Sequence, residues 1–231
     1  MWGRNSGGVF FGGRSYNAGM SKVKLILASR SPRRAKLLRD AGYTFEQVDP
    51  PFEDPPQPPQ SSSAIDLAME LAASKGASAK ECLANDDRAV ILAADTICVG
   101  VGGQLIGQPA DRENARAMIN GFVNEPHDVV SGVALIPIGF GGTAVESFAD
   151  VATVRFGHLS DNQIEEYLDS GQWQGKAGGY NLFDRQSDGW PVTVDAECDP
   201  GTVVGLPMRK LVPALDRWSI NAVTESSSTT P

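Results

Sequence analysis

The sequence predicts an α/β fold, an elongated mixed sheet with flanking helices and a central cleft. Three observations carry it. Residues 89–94 form a continuous apolar run that stops at Asp95-Thr96, the pattern of a strand buried on both faces. Residues 23–28 read as a shorter buried strand, followed at once by Ser31-Pro32, a pair suited to open a helix. Residues 129–138 and 144–156 are two long β segments joined by the glycine-bearing link 139–142, most simply a hairpin. Strands and helices therefore mix without strict βαβ alternation.

In chain order, the helix opened by Ser31 buries Ala35, Leu37, Leu38 and Ala41 on one face and closes at Gly42. Residues 43–48 read as a second strand, and the proline- and serine-rich stretch 49–63 as a loop. Residues 64–80 carry Ile65, Leu67, Ala68, Leu71 and Ala72 at amphipathic helical spacing. A hairpin over 99–106 follows the buried strand, and Asp111 caps a helix running to about Asn120. Ser160 caps a helix over 161–170. The glycine-rich loop 175–179 precedes a last strand near 191–194, and 203–218 reads as a helix interrupted near Pro213. Residues 1–19 are rich in Gly, Ser and Asn, and Met20 offers a natural start. They are expected as a disordered extension and 219–231 as a disordered tail, leaving 20–218 as one folded domain.

Composition bounds the function. The chain has 231 residues, 41% hydrophobic and 21% charged, which is an ordinary globular composition. Its 20 Lys+Arg against 28 Asp+Glu give a net charge of -8. That argues against nucleic-acid binding, which needs many phosphates neutralised, but leaves room for a locally basic pocket. No apolar run approaches the roughly 20 residues that span a bilayer, so no membrane partner is expected. Cys82, Cys98 and Cys198 lie far apart with no CxxC pair, which fits a reducing compartment; the expectation is cytoplasmic.

Two segments could carry chemistry. Ser29-Arg30-Ser31-Pro32-Arg33-Arg34 stands at a strand-to-helix junction, where free N–H groups and adjacent guanidiniums favour a phosphate. The alternative there is a capped surface helix with a solvated basic turn. Asp95 follows the buried run, where open α/β sheets place ligands; it could hold a metal, orient water, or merely cap its own turn. Glu53, Lys75 and Lys176 say little individually. With only His127 and His158, a histidine-based metal cluster is poorly supported. The chain lacks GxSxG, GxxxxGK[ST] and a GxGxxG after a strand, which disfavours α/β-hydrolase, P-loop and Rossmann chemistry.

Taken together the segments resemble a known family. Leu27-Ala28-Ser29-Arg30-Ser31-Pro32-Arg33-Arg34 with Leu37-Leu38, Ala94-Asp95-Thr96, and Pro109-x-Asp111 are similar to motifs of the Maf-like family. So are His127-x-Val129 leading to Gly132-Val133, Gly175-Lys176-Ala177-Gly178, and Val203-Val204-Gly205-Leu206-Pro207, all in family order. The resemblance implies a nucleoside triphosphate pyrophosphatase that releases the monophosphate and pyrophosphate with a divalent cation, Mg²⁺ or Mn²⁺. It also implies two lobes around a cleft, similar to inosine triphosphate pyrophosphatases, a homodimer, and a house-cleaning role against non-standard nucleotides. Carried over by position, Asp95 is the expected catalytic proton acceptor; the metal ligand stays open, with Asp95 and Glu53 as the candidates. Ser29, Arg33, Arg34, Glu53, Lys75, Thr96 and Lys176 are the expected substrate-binding residues, with Arg33 and Thr96 bearing on substrate choice.

This chain departs from the family pattern at three places. Gln108 stands before Pro109 where Lys is usual, removing a positive charge. Tyr180-Asn181-Leu182-Phe183 lacks the usual base-contacting Gln; Gln186, displaced by a longer loop, is the expected replacement. Asp199-Pro200 is similar to the branch acting on methylated GTP, whereas Asp95-Thr96 is similar to the dTTP/UTP branch, and the expectation is dTTP/UTP. Two further readings stay open: a nucleotide-binding regulator of cell division with weak or lost catalysis, and a phosphatase removing only the terminal phosphate.

Overall fold

The computed structural model describes residues 23–53, 63–83, 88–141 and 144–223. The expected N-terminal extension, the middle of the proline-rich loop and the last residues of the tail lie outside them. The elements are β1 (Lys24–Ala28), α1 (Pro32–Asp40), β2 (Glu46–Val48), α2 (Ala64–Glu81), β3 (Ala89–Val99), β4 (Leu105–Ile106) and α3 (Arg112–Asn124). They continue with β5 (His127–Ile138), β6 (Glu146–Phe156), α4 (Asp161–Asp169), α5 (Leu182–Ser187), β7 (Val192–Val194), α6 (Pro200–Val204) and α7 (Met208–Arg217). One mixed sheet runs β2-β1-β3-β5-β6-β7, with the short β4 paired to the far end of β3. β1 is parallel to β2 and β3; the other pairs are antiparallel.

The period of two along a strand sorts the core. Leu25, Leu27, Val90, Leu92, Ala94, Val133 and Leu135 face one side, where they pack with Leu38 of α1 and Leu211 and Leu215 of α7. Ile26, Ala28, Ile91, Ala93, Ala134 and Ile136 face the other, against Ala72 and Ala79 of α2. A second lobe forms around the opposite end of β3, β5 and β6. There Cys98, Val129, Val154 and Phe156 pack with α3, α4 and the aromatic residues Tyr167, Trp173, Tyr180 and Trp190.

Helix α2 lies unusually close to the sheet. A Cβ on Gly132 would stand 2.3 Å from the backbone of Ala68, and one on Gly76 would meet Ile136 at 2.5 Å. Small residues at both faces let backbone approach backbone, which fixes the height of α2 and hence of the side chains it points along the strands.

Helix caps follow the sequence closely. Ser31, Ser63, Asp111 and Ser160 each accept from the third following backbone N–H, and Ser160 with Gln163 completes a capping box. Four expectations are corrected. β3 does not end at Asp95: Asp95 pairs with Gly132 and the ladder with β5 continues to Val99. The second strand begins at Glu46, because Tyr43 is buried in the core outside any strand ladder. The C-terminal helix is broken at Gly205, whose φ of 111° ends α6, whereas Pro213 lies inside α7. Residues 219–223, expected in the tail, still pack on the domain: Ile220 is buried and the Val223 N–H donates to the Gly42 carbonyl. Helix α5 was not expected.

Candidate active site

The cleft is a gap in the sheet. β1 reaches only as far as Ala28 opposite Ala93, and β4 joins β3 only at Cys98. Between them Asp95, Thr96 and Ile97 have no strand partner on that edge, and all three line a cavity of about 870 Å³. Because strand side chains alternate, Asp95 points to the α2 side and Thr96 to the α1 side. The Lys75 ammonium of α2 meets Asp95 Oδ1 at 2.5 Å, both side chains being more than four-fifths buried. On the other side, Arg34 donates to Thr96 Oγ1 at 3.0 Å, to Ser29 Oγ at 3.3 Å and to the Gly205 carbonyl at 3.1 Å.

Thr96 is itself held from behind. Ser131 Oγ, fully buried on β5, donates to the Thr202 carbonyl at 2.7 Å and lies 2.9 Å from Thr96 Oγ1. Since the single Ser131 proton goes to Thr202, Thr96 donates to Ser131 and is left as an acceptor toward Arg34. Gly205 closes this cluster: a Cβ there would fall 2.7 Å from Arg34 Nε and 2.9 Å from Thr96 Oγ1. Sequence reasoning gave no role to Ser131, although a hydroxyl inside the apolar run 129–138 was the available signal.

The second lobe contributes Lys176, Ala177, Tyr180 and Asn181 to the same cavity. Burial lowers the Arg33 pKa, opposed by the Asp184 carboxylate. Burial and then the neighbouring Arg33 lower the Lys176 ammonium from its ordinary value, against Asp184. Cations that disfavour one another in this way are relieved by a bound anion. Arg33→Ala is therefore expected to raise KM for a triphosphate about tenfold or more, the loss of one charge-assisted hydrogen bond. Steady-state kinetics unchanged from wild type would place Arg33 outside the binding site.

Ser29, Arg33, Arg34, Glu53, Lys75, Asp95, Thr96 and Lys176 all line the cavity. Gln186 does not. It lies on α5, its amide Nε2 donating to the Val192 carbonyl at 3.1 Å, so the expectation of a displaced base reader there is corrected. Phe183 is also outside the lining and 41% exposed. The members of that segment that reach the cavity are Tyr180, whose hydroxyl is bonded to His127, and Asn181. Asn181 occupies the N-cap position of α5, yet its side chain makes no capping hydrogen bond. Gln108 also lines the cavity and brings an amide without charge.

Behind Tyr180, His127 is buried with Nε2 at 2.8 Å from the Tyr180 hydroxyl and its ring stacked on Phe122 at 3.8 Å. Burial pushes the imidazole pKa down to about 4. The unfolded chain, titrating near the usual 6.5, binds more protons between those values. Stability from this group is thus complete above about pH 6.5 and falls by about 3 kcal/mol as pH drops toward 4. His127→Gln, which retains a partner for Tyr180, should show a smaller drop in Tm from pH 7 to 4.5 than wild type. Equal drops would contradict the assignment.

Among the described residues no three His, Cys, Asp or Glu side chains gather into a protein-only metal cage. The cavity carboxylates are Asp95 and Glu53. This donor set fits a hard divalent cation of the kind held by one or two carboxylates together with substrate phosphates. No helix of the described residues is long and apolar enough to cross a membrane.

Arg30, Arg33, Arg34, Lys75 and Lys176 thus face one cavity against Glu53 and Asp95, on a chain whose net charge is -8. Such a site defines a polyanion-binding α/β protein with a single buried carboxylate set among cations. The chain belongs to the Maf-like family, whose model, described as "Maf-like protein", matches residues 24–218. It is 36% identical over 195 residues to a dTTP/UTP pyrophosphatase of Shouchella clausii, covering 84% of this chain and 95% of that protein. It is 37% identical to a dTTP/UTP pyrophosphatase of Halalkalibacterium halodurans, covering 83% and 94%. A human protein named as a probable bifunctional dTTP/UTP pyrophosphatase/methyltransferase is 33% identical over 192 residues, which span 30% of it.

Proposed function

We infer that this cleft hydrolyses a nucleoside triphosphate to the monophosphate and pyrophosphate, with dTTP and UTP preferred. The observation that carries the reading is the Lys75–Asp95 pair set in a cationic cleft at the sheet gap. The names of the relatives support the substrate class.

The triphosphate lies against the N-terminus of α1 and the cationic side chains of Arg33, Arg34 and Lys176, which neutralise its charge. Lys75 holds one oxygen of Asp95 and so fixes the orientation of the carboxylate. Asp95 orients a water toward the α-phosphorus and accepts its proton as the new P–O bond forms. The bond from the α-phosphorus to its bridging oxygen breaks, and pyrophosphate leaves with charge that the cations already face. Asp95 and Glu53 would hold a divalent cation, Mg²⁺ or Mn²⁺, which when bound supplies further positive charge against the phosphates.

Asn181 is the reader of the base in this scheme. Its amide carries both an acceptor and donors, complementary to the N3–H and carbonyl edge of uracil or thymine. Asn181→Ala is expected to flatten the preference for UTP over CTP and GTP by about tenfold, because a hydrogen-bonding site rejects wrong partners by leaving polar groups unpaired. The experiment for the function as a whole is a panel of UTP, dTTP, CTP, GTP and methylated GTP with Mg²⁺ or Mn²⁺, scored for pyrophosphate. Highest kcat/KM for dTTP or UTP supports the reading. A clear preference for methylated GTP contradicts the base assignment, and absence of turnover favours a binding regulator.

A further inference from the structure

Thr96, Ser131 and Asp150 stand side by side across three strands: Thr96 of β3 is opposite Ser131 of β5, and Ser131 is opposite Asp150 of β6. Residues directly opposite share a face of the sheet, so the three form one polar row. The rows to either side are apolar, Ala94, Val133 and Phe148 on one and Cys98, Val129 and Ala152 on the other. A polar row inside an apolar sheet costs stability unless its members are paired, and α6 supplies the pairing. The Thr202 hydroxyl, fully buried, donates to Asp150 Oδ2 at 2.7 Å. The Lys210 ammonium of α7 meets Asp150 Oδ1, also at 2.7 Å. With one partner on each oxygen the carboxylate cannot turn, and it fixes where Thr202 stands. Asp150 itself does not line the cleft.

Helix α6 passes that restraint on to Arg34. The Gly205 carbonyl at its end accepts from Arg34 Nε at 3.1 Å. The Thr202 carbonyl accepts from Ser131, which in turn receives from Thr96, the acceptor of a second Arg34 bond. Two supports of the guanidinium therefore lead back to α6, one directly and one through the polar row. With only five residues, α6 is too short to hold its place by its own hydrogen bonds. Asp199 ties its start, accepting from the Gly201 N–H and, with its other oxygen, from the Arg209 N–H of α7. Asp150 ties its middle. We propose that Asp150 is a positioning residue for the reaction, seating α6 through Thr202 so that Arg34 is held ready for the triphosphate. It acts through Arg34 and touches no substrate. This rests on the reading of the cleft given above and adds to it a residue outside the cleft.

Asp150→Ala should raise KM for UTP about three- to tenfold, the size of effect that a hydrogen-bond network carries to a distant site. The kcat should change much less, because a loosened Arg34 loses binding that substrate and transition state share. Asp150→Asn keeps an oxygen for Thr202 and should recover most of the loss. The decisive comparison is the double variant: with Arg34→Ala already in place, Asp150→Ala should add no further rise in KM. Thr202→Val keeps the shape and the carbonyl and leaves Asp150 on Lys210. It should repeat both results, and it serves where Asp150→Ala does not fold, as judged by Tm. A folded variant with wild-type KM, or the same fold-rise with and without Arg34, would overturn the role of Asp150 alone. Absence of pyrophosphate from UTP with the wild-type enzyme would overturn the functional reading and this inference with it.

Discussion

Asp95→Asn should lower kcat at least ~10²-fold while KM for the triphosphate moves only a few-fold, the cost of removing a single proton acceptor from the reacting centre. The amide keeps the shape of the side chain and an oxygen for Lys75, which lies 2.5 Å away in the wild type. The two residues before it on the strand, Ala93 and Ala94, are fully buried, and its backbone is fixed by the ladder to Gly132, so the fold has little reason to change. The variant does leave the Lys75 ammonium without its carboxylate, so Tm is expected to fall modestly. Circular dichroism together with a pyrophosphate assay checks both parts. A folded Asp95→Asn enzyme with wild-type kcat would remove Asp95 from the chemistry.

Among the described glycines, Gly132→Ala should be the most destabilising glycine-to-alanine substitution. The added Cβ would stand 2.3 Å from the Ala68 carbonyl carbon and oxygen and 2.6 Å from the Met69 nitrogen. All three are backbone atoms of the second turn of α2, so no rotamer change can relieve the overlap; the helix itself must lift. Overpacking of this kind costs about 3 kcal/mol or more. Activity should fall as well, because α2 carries Lys75 and a displaced helix takes the ammonium away from Asp95. Urea unfolding at neutral pH measures the first effect, and kcat in the folded fraction the second. Stability within 1 kcal/mol of wild type would mean that α2 does not approach β5 as closely as described.

Much of this architecture is legible locally, and what is not legible depends on tertiary contacts. Ser31, Ser63, Asp111 and Ser160 act as caps through bonds within a few residues, so a helix start is written in its own neighbourhood. The end of β3 is different. The apolar run stops at Ala94 because the next residues face a gap in the sheet, yet the backbone ladder to β5 continues through them. Polarity marked the edge of the cleft, which the apolar pattern reads as the end of a strand. Gly205, by contrast, ends α6 by a local signal, a left-handed glycine with Pro207 two residues on; what only the fold shows is that a Cβ there would meet Arg34 and Thr96.

The same division holds for the cleft. Ser29, Asp95 and Thr96 sit at the end or open edge of a strand, and Arg33 and Arg34 in the first turn of α1, where position along the chain already suggests a ligand. Asn181 was hidden because an Asn before a helix is ordinarily its cap; only the unused side chain and its place on the cavity distinguish it. Gln186 had the expected chemistry but lies five residues beyond Asn181, on α5, with its amide bonded to the Val192 carbonyl. Ser131 works through Thr96 from inside the sheet, and its contribution depends on a partner 71 residues later in the chain.

The central claim is that water attacks the α-phosphorus in the cleft at Asp95. Hydrolysis of UTP in ¹⁸O-labelled water, with the products separated and weighed by mass spectrometry, tests it directly. The account predicts one labelled oxygen in UMP and unlabelled pyrophosphate, formed in equal amounts. Label in pyrophosphate, or UDP with labelled inorganic phosphate, would contradict it.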